Sequence, residues 1–366
     1  MITETATTPA GGLAGGLARA EQTDRAIGAW LAICAALVYA MVVLGGVTRL
    51  TGSGLSMVEW QPILGWLPPT SEAGWQEAFA NYRASPEYRQ VNVGMSLAQF
   101  QMIYGFEYAH RLLGRLIGVA FLLPLLGFLA AGRLSVARAG RLGGIFLLGG
   151  LQGLLGWYMV KSGLVDVPRV SPYRLAAHLG LALVIYALIL WQALAALWPR
   201  PAPAGAGARR GVDGMAALLG LTLLAGAFVA GNKAGLAYNS FPLMAGQWVP
   251  DGLAALSPWW RNLFENITTV QFVHRLLAVL TVAWALLLAL RLRALGGWPA
   301  RLGMGLALLT LGQAMVGVAT LLAGVPVVLG ALHQGAAIAV LSVLLATRYA
   351  LGGSRVEDSQ QPATRM

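Results

Sequence analysis

The chain has 366 residues, 57% of them hydrophobic and only 11% charged. So little charge cannot cover a soluble protein of this size, and the mean hydropathy of +0.67 agrees. The formal net charge of +11 raises nucleic acid as a partner, but the charges follow membrane topology instead, and a single cysteine, Cys34, excludes an internal disulfide, a cysteine-based zinc site and an iron–sulfur cluster.

Residues 1–26 read as a cytoplasmic segment in which Glu4, Glu21 and Asp24 stand among the arginines, a mixture that a transit peptide avoids. A bilayer core about 30 Å thick needs about 20 apolar residues per helical crossing. Stretches at 27–48, 107–131, 142–160 and 175–197 meet that need and define a first half, 27–198. The Pro/Ala/Gly stretch 199–211 reads as a cytoplasmic linker. Four more spans, at 214–231, 270–290, 302–323 and 326–347, define a second half, 212–350, and the polar residues 351–366 a disordered cytoplasmic tail. Two outer loops, about 49–106 and 232–269, are rich in Pro and Trp. Trp60, Trp66 and Trp75 in one, and Trp248, Trp259 and Trp260 in the other, suit the membrane–water boundary, so both loops are expected to fold over the outer mouth. With the N-terminus in the cytoplasm, 14 basic residues fall on that side and 8 on the other, although the far-side loops are longer. The positive-inside rule then places both termini in the cytoplasm.

The halves repeat one another. Glu107-Tyr-Ala-His110-Arg111 matches Gln271-Phe-Val-His274-Arg275; Leu151-Gln152 through Gly156 matches Gly312-Gln313 through Gly317; Ala177-His178-Leu-Gly180 matches Leu332-His333-Gln-Gly335. The order of landmarks is kept at offsets of 164, 161 and 155 residues, and each half has four spans, so both copies insert with the same orientation. The expectation is an all-α integral membrane protein of eight transmembrane helices, built as two pseudo-symmetric four-helix bundles in parallel tandem.

All four histidines lie in even-numbered spans, each a few residues inside its outer end. A lone membrane histidine is as often a hydrogen-bonded packing residue as a ligand. Four at one depth, two per half, favour facing imidazole pairs that supply both axial ligands of a haem iron. Zinc or copper can also take two imidazoles, but further donors are missing around each histidine. Gly114, Gly118, Gly149, Gly153, Gly156 and Gly180 serve tight helix packing or the approach of a flat macrocycle. Arg111 and Arg275 either pair with haem propionates or snorkel to the interface. Glu107 shares a helix face with His110, whereas its counterpart Gln271 cannot ionise. Carboxylates near a bilayer interior are costly and usually functional; the bland alternative is an ion pair with Arg111 or Arg115.

These features, with Gly45-Gly46-Val-Thr-Arg-Leu-Thr-Gly-Ser-Gly-Leu-Ser56 and Asn239-Ser-Phe-Pro-Leu-Met244, resemble the haem A synthase family over residues 27–348. The resemblance implies a bacterial inner-membrane oxidoreductase that takes the C8 methyl of haem O to the formyl group of haem A for cytochrome oxidases. By the same resemblance, His110 and His178 hold substrate haem O, His274 and His333 bind a resident haem b by its iron, and Glu107 is the catalytic carboxylate. The outer-loop cysteine pairs of some members are missing, which places the chain with the cysteine-free proteobacterial and mitochondrial subgroup. The implied partners are haem O, membrane lipid, haem O synthase and oxidase assembly factors; a homo-oligomer is compatible, and nucleic acid is not expected. A b-type di-haem electron-transfer cytochrome explains the histidines equally well but leaves the Glu107/Gln271 difference unexplained. A haem transporter is a third class.

Overall fold

The computed structural model describes residues 10–59, 66–164, 170–198 and 204–352, with side chains from residue 21. Glu4, Trp60, the linker residues 199–203 and the tail from 353 lie outside the described residues.

Eight helices are long and apolar enough to cross a membrane. They are α1 (Ala10–Leu50), α4 (Leu97–Ala130), α5 (Val136–Gly163), α6 (Pro172–Leu197), α7 (Ala206–Gly231), α9 (Ile267–Arg293), α10 (Gly297–Leu322) and α11 (Val327–Ala350). Three short helices lie between them: α2 (Glu72–Arg83), α3 (Pro86–Gln90) and α8 (Asn262–Glu265). Among the described residues there is no strand beyond one isolated bridge, Met244 to Gln247. Local signals set several starts. Ser135 accepts from the Arg138 amide, Asn266 from those of Thr268 and Thr269, and Pro172 opens α6 with its φ already helical.

Two apolar cores form. In the first, Ile27, Leu31 and Val38 of α1 meet Phe121 and Leu125 of α4, Leu142 and Ile145 of α5, and Ile185 and Ile189 of α6. In the second, Val212, Met215 and Leu219 of α7 meet Ala285 and Leu288 of α9, Leu306 of α10 and Leu344 of α11. A seam joins them. The Tyr39 hydroxyl donates to the Gly335 carbonyl at 2.9 Å, the Gln334 amide to the Val42 carbonyl at 2.7 Å, and Tyr186 and Ser342 share a hydroxyl bond of 2.7 Å. At the opposite end of the bundle from the histidines, Arg348 pairs with Asp213 at 2.6 Å and Arg138 with Asp24.

The stretch 49–106 is more helical than a loop. It contains α2 and α3, and α4 begins at Leu97, about ten residues before the apolar run that marked the span. Two local features explain the early start. Ser96 and Gln99 form a reciprocal capping box, and Phe100 and Ile103 bury against Phe79 and Tyr82 of α2. The helix therefore rises into a small aromatic hood with its own core. His110 accordingly stands well inside α4, whereas His178, His274 and His333 lie within two turns of the start of their helices. His110 still lies a few residues inside the apolar run at 107–131; it is the helix that begins earlier than that run.

Candidate functional site

The structure brings the histidines together in two pairs. His110 and His178 are near enough for their charges to interact, as are His274 and His333. Each ring lies against a glycine of a neighbouring helix. A Cβ on Gly45 of α1 would fall 2.9 Å from His110 Cε1, and one on Gly156 of α5 3.1 Å from His178 Cε1. In the second half, Gly226 of α7 would meet His274 Cε1 at 3.0 Å, and Gly317 of α10 would meet His333 Cε1 at 2.6 Å. Each imidazole thus occupies space that any side chain on the facing helix would take. Gly226 carries no mark in the sequence beyond its alignment: Val42-Val43-Leu44-Gly45 falls on Leu223-Leu224-Ala225-Gly226.

The ring nitrogens are served unequally. His274 Nδ1 lies 3.1 Å from the Thr222 carbonyl oxygen, so it donates there and Nε2 keeps its lone pair. His110 Nδ1 is buried with no partner. The Gln152 amide nitrogen stands 3.2 Å from both ring nitrogens of His178, and that of Gln313 stands 3.1 Å from His333 Nδ1. The amide oxygens of Gln152 and Gln313 are buried without partners. Among the described residues no three His, Cys, Asp or Glu side chains cluster as a metal site. Two imidazoles suffice only where the ligand brings the remaining donors, as a porphyrin does. Paired buried rings, glycine cradles and orphaned polar atoms beside the rings fit a haem in each half.

The other flagged glycines divide. Gly114 and Gly180 have Met41 Cε and Leu224 Cδ2 at 3.4 Å from a built Cβ, ordinary helix packing. Gly118, Gly149 and Gly153 have no protein atom within 4 Å, so close helix contact does not account for them.

Glu107 is 3% exposed and fully engaged. Its Oε2 accepts from the Ser56 hydroxyl at 2.7 Å and the Met57 amide at 2.8 Å, and its Oε1 from Arg111 Nη2 at 2.6 Å. Arg111 also donates to the carbonyls of Met57 and Glu59, both at 2.8 Å. Together they tie the segment after α1 onto α4. Gln271 and Arg275 hold the second outer loop in a comparable way. Gln271 donates to the carbonyls of Ala234 at 3.1 Å and Tyr238 at 3.3 Å, and Arg275 to that of Tyr238 at 2.9 Å. The glutamate–arginine pair weighed as the bland alternative is therefore present, and what separates the halves at this position is charge. Asn239 anchors its motif by donating to the Gly235 and Leu321 carbonyls, each at 2.8 Å.

A second buried carboxyl was not foreseen. Glu87 of α3, 7% exposed, accepts from the Tyr82 hydroxyl at 3.2 Å, and Asn92 donates to that hydroxyl at 2.6 Å. Burial pushes the Glu87 carboxyl up to about 7; the Tyr82 bond opposes this, the Glu107 charge adds to it and Lys233 counters it. Ser85 caps the short helix by accepting from the Tyr88 amide and Pro86 opens it, but nothing in the sequence marked Glu87 as buried.

Residues 28–345 match the family model described as cytochrome oxidase assembly protein, COX15-CtaA. A protein of Nitrosospira multiformis named heme A synthase is 50% identical over 332 residues, covering 88% of this chain and 92% of that one. One of Rhodospirillum centenum with the same name is 48% identical over 342 residues, covering 92% and 91%. Heme A synthase COX15 of Arabidopsis thaliana is 44% identical over 346 residues, 90% of this chain and 75% of the relative. With a model matched over most of its length and relatives this similar, the chain is a multi-pass membrane protein that belongs to the COX15-CtaA cytochrome oxidase assembly family.

Proposed function

We propose that the chain oxidises the C8 methyl of haem O to the formyl group of haem A, by two successive hydroxylations and loss of water from the geminal diol. His110 and His178 hold the substrate in the first half, and His274 and His333 hold a resident haem b in the second. When bound, the resident haem supplies one-electron transfer. Both halves, 27–198 and 212–350, are pseudo-symmetric bundles with their termini in the cytoplasm, in a bacterial inner membrane. Haem O synthase and oxidase assembly factors deliver the substrate and take the product.

One observation carries this reading: the histidine-on-glycine arrangement occurs twice, and an ionisable carboxylate stands three residues before the histidine only once. Glu107, held in place by Ser56, Met57 and Arg111, sets a buried carboxyl group three residues before His110. A carboxylate there stabilises positive character building at a porphyrin methyl carbon and can take a proton from attacking water. Arg275 retains a buried Nε–H without a partner, a donor suited to a propionate, whereas Arg111, proposed for the same role in the first half, also holds Glu107 and the Met57 and Glu59 carbonyls.

The test is haem extraction with chromatography and mass detection, from membranes containing haem O synthase, with and without this chain. Haem A forming only when the chain is present supports the reading. Unchanged haem O beside bound haem b favours a di-haem cytochrome, and release of unmodified haem a transporter.

A further inference from the structure

The polar and small residues from Gly45 to Ser56 have visible tasks, with one exception. Gly45 makes room for His110 and Gly46 for Gln334. The Thr48 and Thr51 hydroxyls donate to the Leu44 and Val47 carbonyls within α1, and Thr51 shares a hydroxyl bond of 2.6 Å with Ser53. The chain turns at Gly52 in the left-handed region, and Ser56 reaches Glu107. Arg49 is the exception. It is part-buried at the end of α1, and among the described residues its guanidinium makes no hydrogen bond and no ion pair. An unpaired cation within a span is costly, so its retention calls for an anion in the working protein.

The position of Arg49 identifies that anion. It stands one turn after Gly45 on the same face of α1, toward the outer loop, and so flanks the slot that takes the His110 ring. The matched position in the second half, four residues after Gly226, is Ala230. The halves balance this difference one turn away. Arg111 is paired with Glu107 at 2.6 Å, whereas Arg275 faces the uncharged Gln271 position and keeps a buried Nε–H without a partner. Each half thus retains one guanidinium that no carboxylate of the described residues neutralises, Arg49 in the first and Arg275 in the second. The outer cations of α5 and α6 are engaged elsewhere, Lys161 over the Trp157 ring and Arg174 over that of Tyr158. We infer that Arg49 binds a propionate carboxylate of the haem held by His110 and His178, a role that Arg111, committed to Glu107, leaves open. A guanidinium suits that task because its N–H groups match the two oxygens of a carboxylate.

The inference rests on the haem reading and adds a residue to the substrate site. The test is titration of the full chain in detergent with haemin and with haemin dimethyl ester, whose esterified propionates carry no charge. Binding is read from the bis-imidazole spectrum, and the step lost in His110→Ala is that of the first half. Arg49→Gln should weaken this step about 10-fold or more for haemin and leave it unchanged for the ester. Arg49→Lys, which keeps the charge, should recover part of the haemin affinity. If Arg49→Gln fails to accumulate, Arg49→Met, uncharged and of similar length, should show the same difference between the probes. Equal weakening of both probes means that Arg49 only supports the end of α1, and an unmoved haemin affinity means that it reaches the lipid headgroups instead; either overturns the inference. Failure of the haem reading looks different: the wild-type chain would then show no bis-imidazole step that His110→Ala removes, and both ideas would fall together.

Discussion

His274 Nδ1 donates to the carbonyl oxygen of Thr222 at 3.1 Å, whereas His110, its counterpart in the first half, has Nδ1 buried without an acceptor. A ring fixed through its distal nitrogen loses little freedom on binding iron, and such outer partners are worth about 10–100-fold in affinity. The first half should therefore release its haem faster, by about that factor. Transfer to excess apomyoglobin, followed by absorbance, should show two phases, with His110→Ala removing only the fast one. Equal rates from both sites would contradict the prediction.

The glycine cradles leave no room for a methyl group. Gly317→Ala sets a Cβ 2.6 Å from His333 Cε1, and Gly226→Ala one 3.0 Å from His274 Cε1. Overpacking of this kind costs about 1–3 kcal/mol. Both variants should lose resident haem, Gly317→Ala the more completely, as read by the haem-to-protein ratio after purification. Gly305→Ala, on the same helix as Gly317 and with open space around it, is the matched control and should retain full occupancy.

Glu107→Gln keeps the length and shape of the side chain, and an amide oxygen can still accept from Ser56 or Met57. What it removes is the charge and the ion pair with Arg111. Haem content should stay at two per chain while haem A formation falls by roughly 10²-fold or more. Normal product yield from this variant would remove Glu107 from the chemistry and leave it as the anchor that Gln271 already is.

Glu87 makes the hood sensitive to pH. Its carboxyl, raised by burial from 4.5 to about 7, favours the neutral form in the folded hood. The stability linked to it is therefore complete below about pH 4.5 and is lost as pH rises through about 7. At about 1.4 kcal/mol per unit, the loss is on the order of 3 kcal/mol. Hydrogen exchange over α2 and α3 should quicken between about pH 4.5 and 7 beyond its intrinsic trend and follow that trend above. Glu87→Gln should flatten that change; an unaltered profile would mean that another group controls the hood.

The spans were legible because an apolar run of about 20 residues has few other physical uses. The histidine pairs were legible because landmarks recurred in order on both sides of the linker. The helices of the hood were not, since Glu72, Gln76, Glu77, Asn81 and Arg83 make α2 too polar to register as a span, although the Ser96–Gln99 pair has the spacing of a capping box. The contact of Ser56 with Glu107 joins residues 51 apart across a loop, and no periodicity announces such a pairing. Nor does sequence give the rotation of a helix about its own axis, so which glycine meets which imidazole emerged only from the packed bundle.

Gly45 lies against the ring of His110, and the next residue, Gly46, lies so close to Gln334 that a built Cβ would fall 2.3 Å from its amide oxygen. Gln334 is the neighbour of His333 and is bonded to the Val42 carbonyl. A ring proposed as a ligand in each half is thus linked to the other through a pair of glycines and one amide. On the proposed function, the seam that holds the two cores together would also join the two haem sites, and a side chain at Gly46, pressed against Gln334 beside His333, would be felt on both sides of it.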